Sequence, residues 1–279
     1  IKKYLEMNSK EIIAFMFSRL QRIGAEGFAR SMLEYNTAFI LALHYNREWE
    51  FGNSANCGRL CKQVVEGLEE RVRLRNGVPF AEIADIGCGP LVMNRMLERP
   101  TTNVDINRHQ MNFGIAAVKP GTLGRNYIGS ATDLGRLVNI DETNDVVYCP
   151  SKAYDKVHGI ADRSLDMGIA SFLMYFLDSE GNTRFMREMY RTLKDEGYLV
   201  ITMPKAKIAD ECIPQFLTDI ASMGFKLDND ITGTYVSDSF RVKDPTRAAT
   251  KFEVYLILAR KIPNTCKNDS TNPEFVLTP

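Results

Sequence analysis

The pentapeptide Asp85-Ile86-Gly87-Cys88-Gly89 constrains this chain more than any other stretch. It closes a strand-like run at 80–84 and leads into a helix-like segment, Met93-Asn94-Arg95-Met96-Leu97. Two glycines at a strand-to-helix bend leave no Cβ between the backbone and a ligand. Sixteen residues beyond Gly89, a second strand-like stretch ends in an acid, Val104-Asp105. An acidic side chain at the tip of the second strand is placed to accept hydrogen bonds from a ribose diol. Together these features point to a ligand that contains a nucleoside.

The kind of nucleoside follows from what the motif lacks. A dinucleotide fingerprint carries a third glycine, but here position 92 is valine, in Gly87-Cys88-Gly89-Pro90-Leu91-Val92. Asp85, two residues before the first glycine, would repel a pyrophosphate. A nucleoside with a positive charge and no phosphate suits the acid better.

The segment Ala84-Asp85-Ile86-Gly87-Cys88-Gly89-Pro90 resembles motif I of the class I S-adenosylmethionine-dependent methyltransferases. Further matches follow in order. Val104-Asp105-Ile106-Asn107 resembles the second-strand acid, and the stretch at 161–170 resembles the fourth strand with its preceding turn. The stretch at 189–201 resembles the helix and turn leading into the fifth strand. The resemblance covers residues 78–261 and implies a doubly wound, mostly parallel seven-stranded α/β sheet with S-adenosylmethionine as cofactor. It assigns Asp85 to the methionine amino group or to the loop, and passes Gly87, Cys88 and Gly89 close to the cofactor. It sets Asp105 on the ribose, with Ile106 beside it. Asn107 either assists at the adenine edge or caps the next helix. For the adenine-contacting acid, normal spacing falls on Ser151 or Lys152, neither acidic, so Asp133 is preferred. Leu91 stands where many members have glycine, and its bulk is expected to narrow the methionine end of the pocket.

After the fourth strand comes Ala170-Ser171-Phe172-Leu173-Met174-Tyr175-Phe176. The family places acceptor-facing residues here, so Ser171, Phe172 and Tyr175 are the acceptor-side candidates, with Ser171 also near the cofactor. Tyr175 either stacks on an acceptor or fills the core. No Asn-Pro-Pro-Tyr occurs, and Cys149-Pro150 reverses the order used for thiolate attack on cytosine. Methyl transfer from a sulfonium is an in-line displacement governed by positioning, so it needs no acid–base dyad.

Residues 1–77 read as a helical N-terminal extension on a methyltransferase domain at 78–262, with a flexible tail at 263–279. Asn8 and Glu11 have capping-box spacing. Apolar stripes predict helices at 29–45 and 59–75, the last carrying Leu60, Val64, Leu68 and Val72. Strands are expected at 80–85, 102–105, 126–128, 145–149, 165–170, 198–203, 225–227 and 252–259. Only one of 126–128 and 145–149 serves as the usual third strand, so 121–144 reads as an insertion. Helices are expected at 108–118, 183–193 and 213–223.

The 35 basic and 35 acidic residues balance, which excludes nucleic-acid binding by bulk charge alone. Lys205, Lys207, Arg241, Lys243 and Arg247 offer a local basic rim. The six cysteines are scattered without a Cys-x-x-Cys, which suggests an intracellular, reducing compartment and no metal site. No apolar run is long enough for a membrane span. The stretch at 164–207 is also similar to nucleolar rRNA-processing adenine methyltransferases. That likeness makes RNA, a ribonucleoprotein or an RNA-associated protein the expected acceptor, with a small-molecule acceptor as the alternative. A methyltransferase-like scaffold that binds a protein partner through its N-terminal helices is the non-enzymatic alternative.

Overall fold

The architecture is that of a computed structural model, which describes residues 53–74, 77, 79–142, 157–237 and 252–263. Helix α1 (Asn53–Leu74) precedes strand β1 (Ile83–Ile86) and the short helix α2 (Val92–Leu97). Strand β2 (Thr102–Asp105), helix α3 (Arg108–Ala117) and strand β3 (Arg125–Ile128) follow, with a two-residue strand β4 (Val138–Asn139). Then come β5 (Leu165–Ser171), helix α4 (Ser179–Thr192), β6 (Leu193–Pro204) and helix α5 (Ile213–Ser222). Strands β7 (Phe225–Leu227), β8 (Gly233–Ser237) and β9 (Phe252–Lys261) complete the sheet.

The strands lie in the order β4-β3-β2-β1-β5-β6-β9-β7. Pairings from β3 through β6 are parallel, whereas β9 runs antiparallel to both β6 and β7. Strand order reverses between β1 and β5, which opens a crevice at their carboxyl ends. This is the doubly wound sheet expected from the sequence, with two additions. Strand β4 extends one edge, and β8 pairs with β9 end to end with β7. The sequence reading missed both.

Side-chain alternation divides the core into two faces. Ala84, Ile86, Ala170, Leu199 and Ile201 face α4 and α5, against Phe185, Met189, Phe216 and Ile220. Ile83, Met167, Ile169 and Val200 face the other way, against Cys61, Val65 and Leu68 of α1 and Met93 of α2. Helix α1 is therefore part of the same core as the sheet. Gly58 lets it approach α2 closely, since a Cβ there would lie 2.8 Å from Val92 Cγ1.

Strand β3 is the third strand, paired with β2 from Thr102↔Arg125 to Asp105↔Ile128. The reading of 121–144 as an insertion is thus corrected, because that stretch contains a ladder strand of the core. The alternative third strand at 145–149 lies outside the described residues, as do Asn8, Glu11, the helix at 29–45, Ser151, Lys152, Arg241, Lys243, Arg247 and the tail from 264 on. No described helix is long and apolar enough to cross a membrane.

Candidate functional site

At the switch point the chain leaves β1 through Gly87 (φ 72°), Gly89 (φ 50°) and Leu91 (φ 54°). Left-handed backbone at Gly87 is needed sterically as well, because a Cβ there would meet Leu173 Cδ1 at 2.9 Å. The loop is tied to β2: the N–H groups of Gly87 and Cys88 donate to Val104 O at 2.8 and 3.1 Å. Gly89 N–H donates to Asp105 Oδ2 at 2.9 Å, and Asn107 N–H to Asp105 Oδ1 at 2.7 Å. Asp85 Oδ2 accepts from Met93 N–H at 3.2 Å and so pins the start of α2. The two acids are thus structural as well as available, since each carboxylate oxygen holding one donor keeps a second lone pair.

Both acids are buried, and burial sets their acidity. Desolvation pushes Asp85 up to about 7, opposed by the Met93 N–H and reinforced by the charge of Asp105. Desolvation likewise pushes Asp105 up to about 6, against the hydrogen bonds from Asn107 and Gly89. The buried Cys88 thiol is raised too, chiefly by desolvation, and stays protonated at neutral pH. It is not a nucleophile.

Around these residues lies a cavity of about 440 Å³, within the range of small-ligand sites. Asp85, Gly87, Cys88, Gly89, Pro90 and Val92 supply its β1 side, and Val104, Asp105, Ile106, Asn107 and Gln110 its β2 side. Gly129, Ser130 and Ala131 close it beyond β3, and Ser171, Phe172, Leu173, Phe176 and Leu177 beyond β5. The described lining includes no lysine or arginine. Its charged groups are the two acids.

The structure brings together Asp85, Gly87, Cys88, Gly89, Asp105, Ile106, Asn107, Ser171 and Phe172. Asn107 caps α3, its Oδ1 accepting from His109 N–H at 3.0 Å and Gln110 N–H at 3.4 Å. Asp133 is not brought to the cavity. The next residue, Leu134, is buried in the core and its N–H is held by Glu188 Oε2 of α4 at 2.8 Å, which leaves Asp133 exposed. Ser130 and Ala131 occupy that corner instead.

Leu91 also departs from expectation. Its side chain is fully buried with Cys88, Met111, Ile128 and Ile140 and does not line the cavity, so the expected narrowing is absent. Tyr175 belongs neither to the lining nor to the core. Its half-buried ring sits 4.0 Å from that of the exposed Phe176 and 6.3 Å from that of Phe172, at the cavity mouth. Lys205 pairs with Asp210 and donates to Ile208 O at 3.3 Å, and does not line the cavity. Among the missed lining residues, Ser130 and Ala131 follow β3, where the carboxyl-end rule for open sheets would have found them.

The arrangement has the strand order, glycine bend and second-strand acid that the resemblance to class I S-adenosylmethionine-dependent methyltransferases implies. No family model matches the chain, and no curated protein matches it significantly. Among solved structures, it is similar to a TehB-like SAM-dependent methyltransferase from Corynebacterium glutamicum, at 16% identity and TM-score 0.47, covering 78% of this chain and 97% of the other. A SAM-dependent methyltransferase from Archaeoglobus fulgidus gives 16% identity and TM-score 0.47 over 78% of this chain and 99% of that one. One from Thermotoga maritima gives 14% identity and TM-score 0.47, over 78% and 95%. The doubly wound fold rests on the strand order and register described above.

Proposed function

We propose that the protein binds S-adenosylmethionine in the switch-point cavity and transfers its methyl group to an acceptor entering past Phe172 and Phe176. The observation that carries this reading is the pairing of two buried acids with a glycine bend, in a lining without a described basic side chain. A pyrophosphate would meet only negative charge there. A ligand with an ammonium and a sulfonium gains from both acids. Asp105, which accepts from the Gly89, Asn107 and Ile106 N–H groups, keeps a lone pair for the ribose diol, and the exposed Ile106 side chain offers an apolar surface to the adenine.

For the acceptor, the mouth favours a small, largely apolar molecule. Phe172, Leu173, Phe176 and Leu177 border it, and no described lining residue would meet a phosphate. The RNA base or RNA-associated protein expected from sequence is the second reading. It rests on the likeness at 164–207 alone. Leu91 packs in the core and does not block the cavity, so its bulk gives no support to the non-enzymatic scaffold alternative. Isothermal titration with S-adenosylmethionine and S-adenosylhomocysteine tests the cofactor assignment, and absence of heat at millimolar ligand refutes it. Methyl transfer from labelled cofactor to total RNA, but not to a small-molecule extract, would reverse the acceptor preference.

A further inference from the structure

Asp85, Ser171 and Thr202 share one face of the sheet. They continue the alternation of Ile83 on β1, of Met167 and Ile169 on β5, and of Val200 on β6 toward α1. Asp85 pairs with Ile169 in register, and Ser171 lies two residues further along β5, directly opposite Thr202. The Ser171 hydroxyl and the Asp85 carboxylate therefore lie on one face of adjacent strands, offset by two residues, and both line the cavity.

Beneath Ser171 the polar groups are ordered. Thr202 is fully buried, and its Oγ1–H donates to Ser171 Oγ at 3.0 Å. The thiols of Cys57 and Cys61 on α1, both fully buried, come within hydrogen-bonding reach of Thr202. Desolvation raises both, Cys61 to about 12, so they stay as S–H. Thr202 gives its own proton to Ser171. Thr202 fills one acceptor lone pair of Ser171 Oγ, and the Ser171 hydroxyl keeps its own proton for a partner on the cavity side.

We propose that Thr202 is a positioning residue that fixes Ser171 as a hydrogen-bond donor to the carboxylate of the cofactor's amino-acid end, beside Asp85 holding the ammonium. This rests on the nucleoside reading above. An α-amino acid presents opposite charges one carbon apart, so its pocket needs an anion and a donor as neighbours. The described lining has no cation to meet the carboxylate, and a neutral hydroxyl with an assigned proton meets it without repelling the ammonium.

The test compares S-adenosylhomocysteine with 5′-methylthioadenosine, which has the nucleoside but no amino-acid end, by isothermal titration on the full chain. Thr202→Val removes the hydroxyl at nearly constant volume. It should weaken S-adenosylhomocysteine roughly tenfold, the lower end of a hydrogen bond to a charged group. Methylthioadenosine binding should stay within about twofold, since the lost bond is not one it makes. Thr202→Ser should restore the wild-type ratio. Ser171→Ala should reproduce the selective loss, and adding Thr202→Val to it should cost nothing more. Equal weakening of both ligands would show a structural effect and overturn the assignment. So would unchanged S-adenosylhomocysteine binding in Thr202→Val or in Ser171→Ala, while the wild-type affinity would leave the cofactor reading standing. A wild-type protein that binds neither ligand would sink both together.

Discussion

Replacing Asp85 by asparagine should stabilise the ligand-free protein, and more so as pH rises. The carboxyl is raised from 3.8 to about 7 by burial. Between those values the unfolded chain gives up the proton while the native protein keeps it. The native state then binds more protons, so stability falls with pH across this window and levels off above about 7. The shift of about three units corresponds to about 4 kcal/mol at full ionisation, at 1.36 kcal/mol per unit. Between pH 5 and 8 the wild type should lose about 3 kcal/mol that the asparagine variant does not lose. In a chain of this size that is a melting-temperature difference growing by about 6 °C. Asparagine keeps an oxygen for the Met93 N–H, so α2 stays pinned. Thermal melts of both proteins at pH 5, 6, 7 and 8, without ligand, measure the divergence. Parallel curves would refute the claim that the buried carboxylate is a liability in the empty site.

The same linkage makes binding of S-adenosylmethionine pH-dependent: affinity should rise up to about tenfold per unit below pH 7 and level off above it. Titrations at pH 6, 7 and 8 check this, and a flat profile contradicts it. Asp105→Ala should weaken cofactor binding by about 1.5 to 3 kcal/mol, and should also destabilise the empty protein, because the N–H groups of Gly89 and Asn107 lose their acceptor. Binding isotherms and melts report the two effects separately. Gly114→Ala should cost about 2 kcal/mol or more, because its Cβ would sit 2.4 Å from Pro90 C and 2.5 Å from Pro90 O, both backbone. Denaturant unfolding of the variant tests it, and wild-type stability would mean α3 does not press on the glycine loop. Leu91→Gly should relieve a left-handed leucine yet lose its buried packing, for a net loss of about 1 to 3 kcal/mol with cofactor affinity kept.

Much of this was legible because local pattern and tertiary role coincide. Strand β2 falls on the expected 102–105, and β7 on 225–227, each bounded by turn residues and ending where the apolar pattern ends. The acids at 85 and 105 were visible because the carboxyl-end rule fixes where ligands sit. Asp133 was misplaced because residue type was weighed above geometry. Its neighbour Leu134 is the buried member of that turn, a fact decided by Glu188 more than fifty residues away. The direction of Leu91 is likewise set by contacts with Met111 and Ile128, which no local pattern announces. Thr202 was invisible as a site residue because it never reaches the cavity. It acts through the opposite strand, and strand pairing is what the sequence conceals.

Helix α1 has a practical consequence for anyone trimming the chain. A fragment started at residue 78, where the motif-bearing portion begins, would strip Cys61, Val65 and Leu68 from one side of the sheet and leave Ile83, Met167, Ile169 and Val200 facing water. Such a greasy slab invites aggregation in the expression host. Crystallisation and activity trials alike should start no later than residue 53.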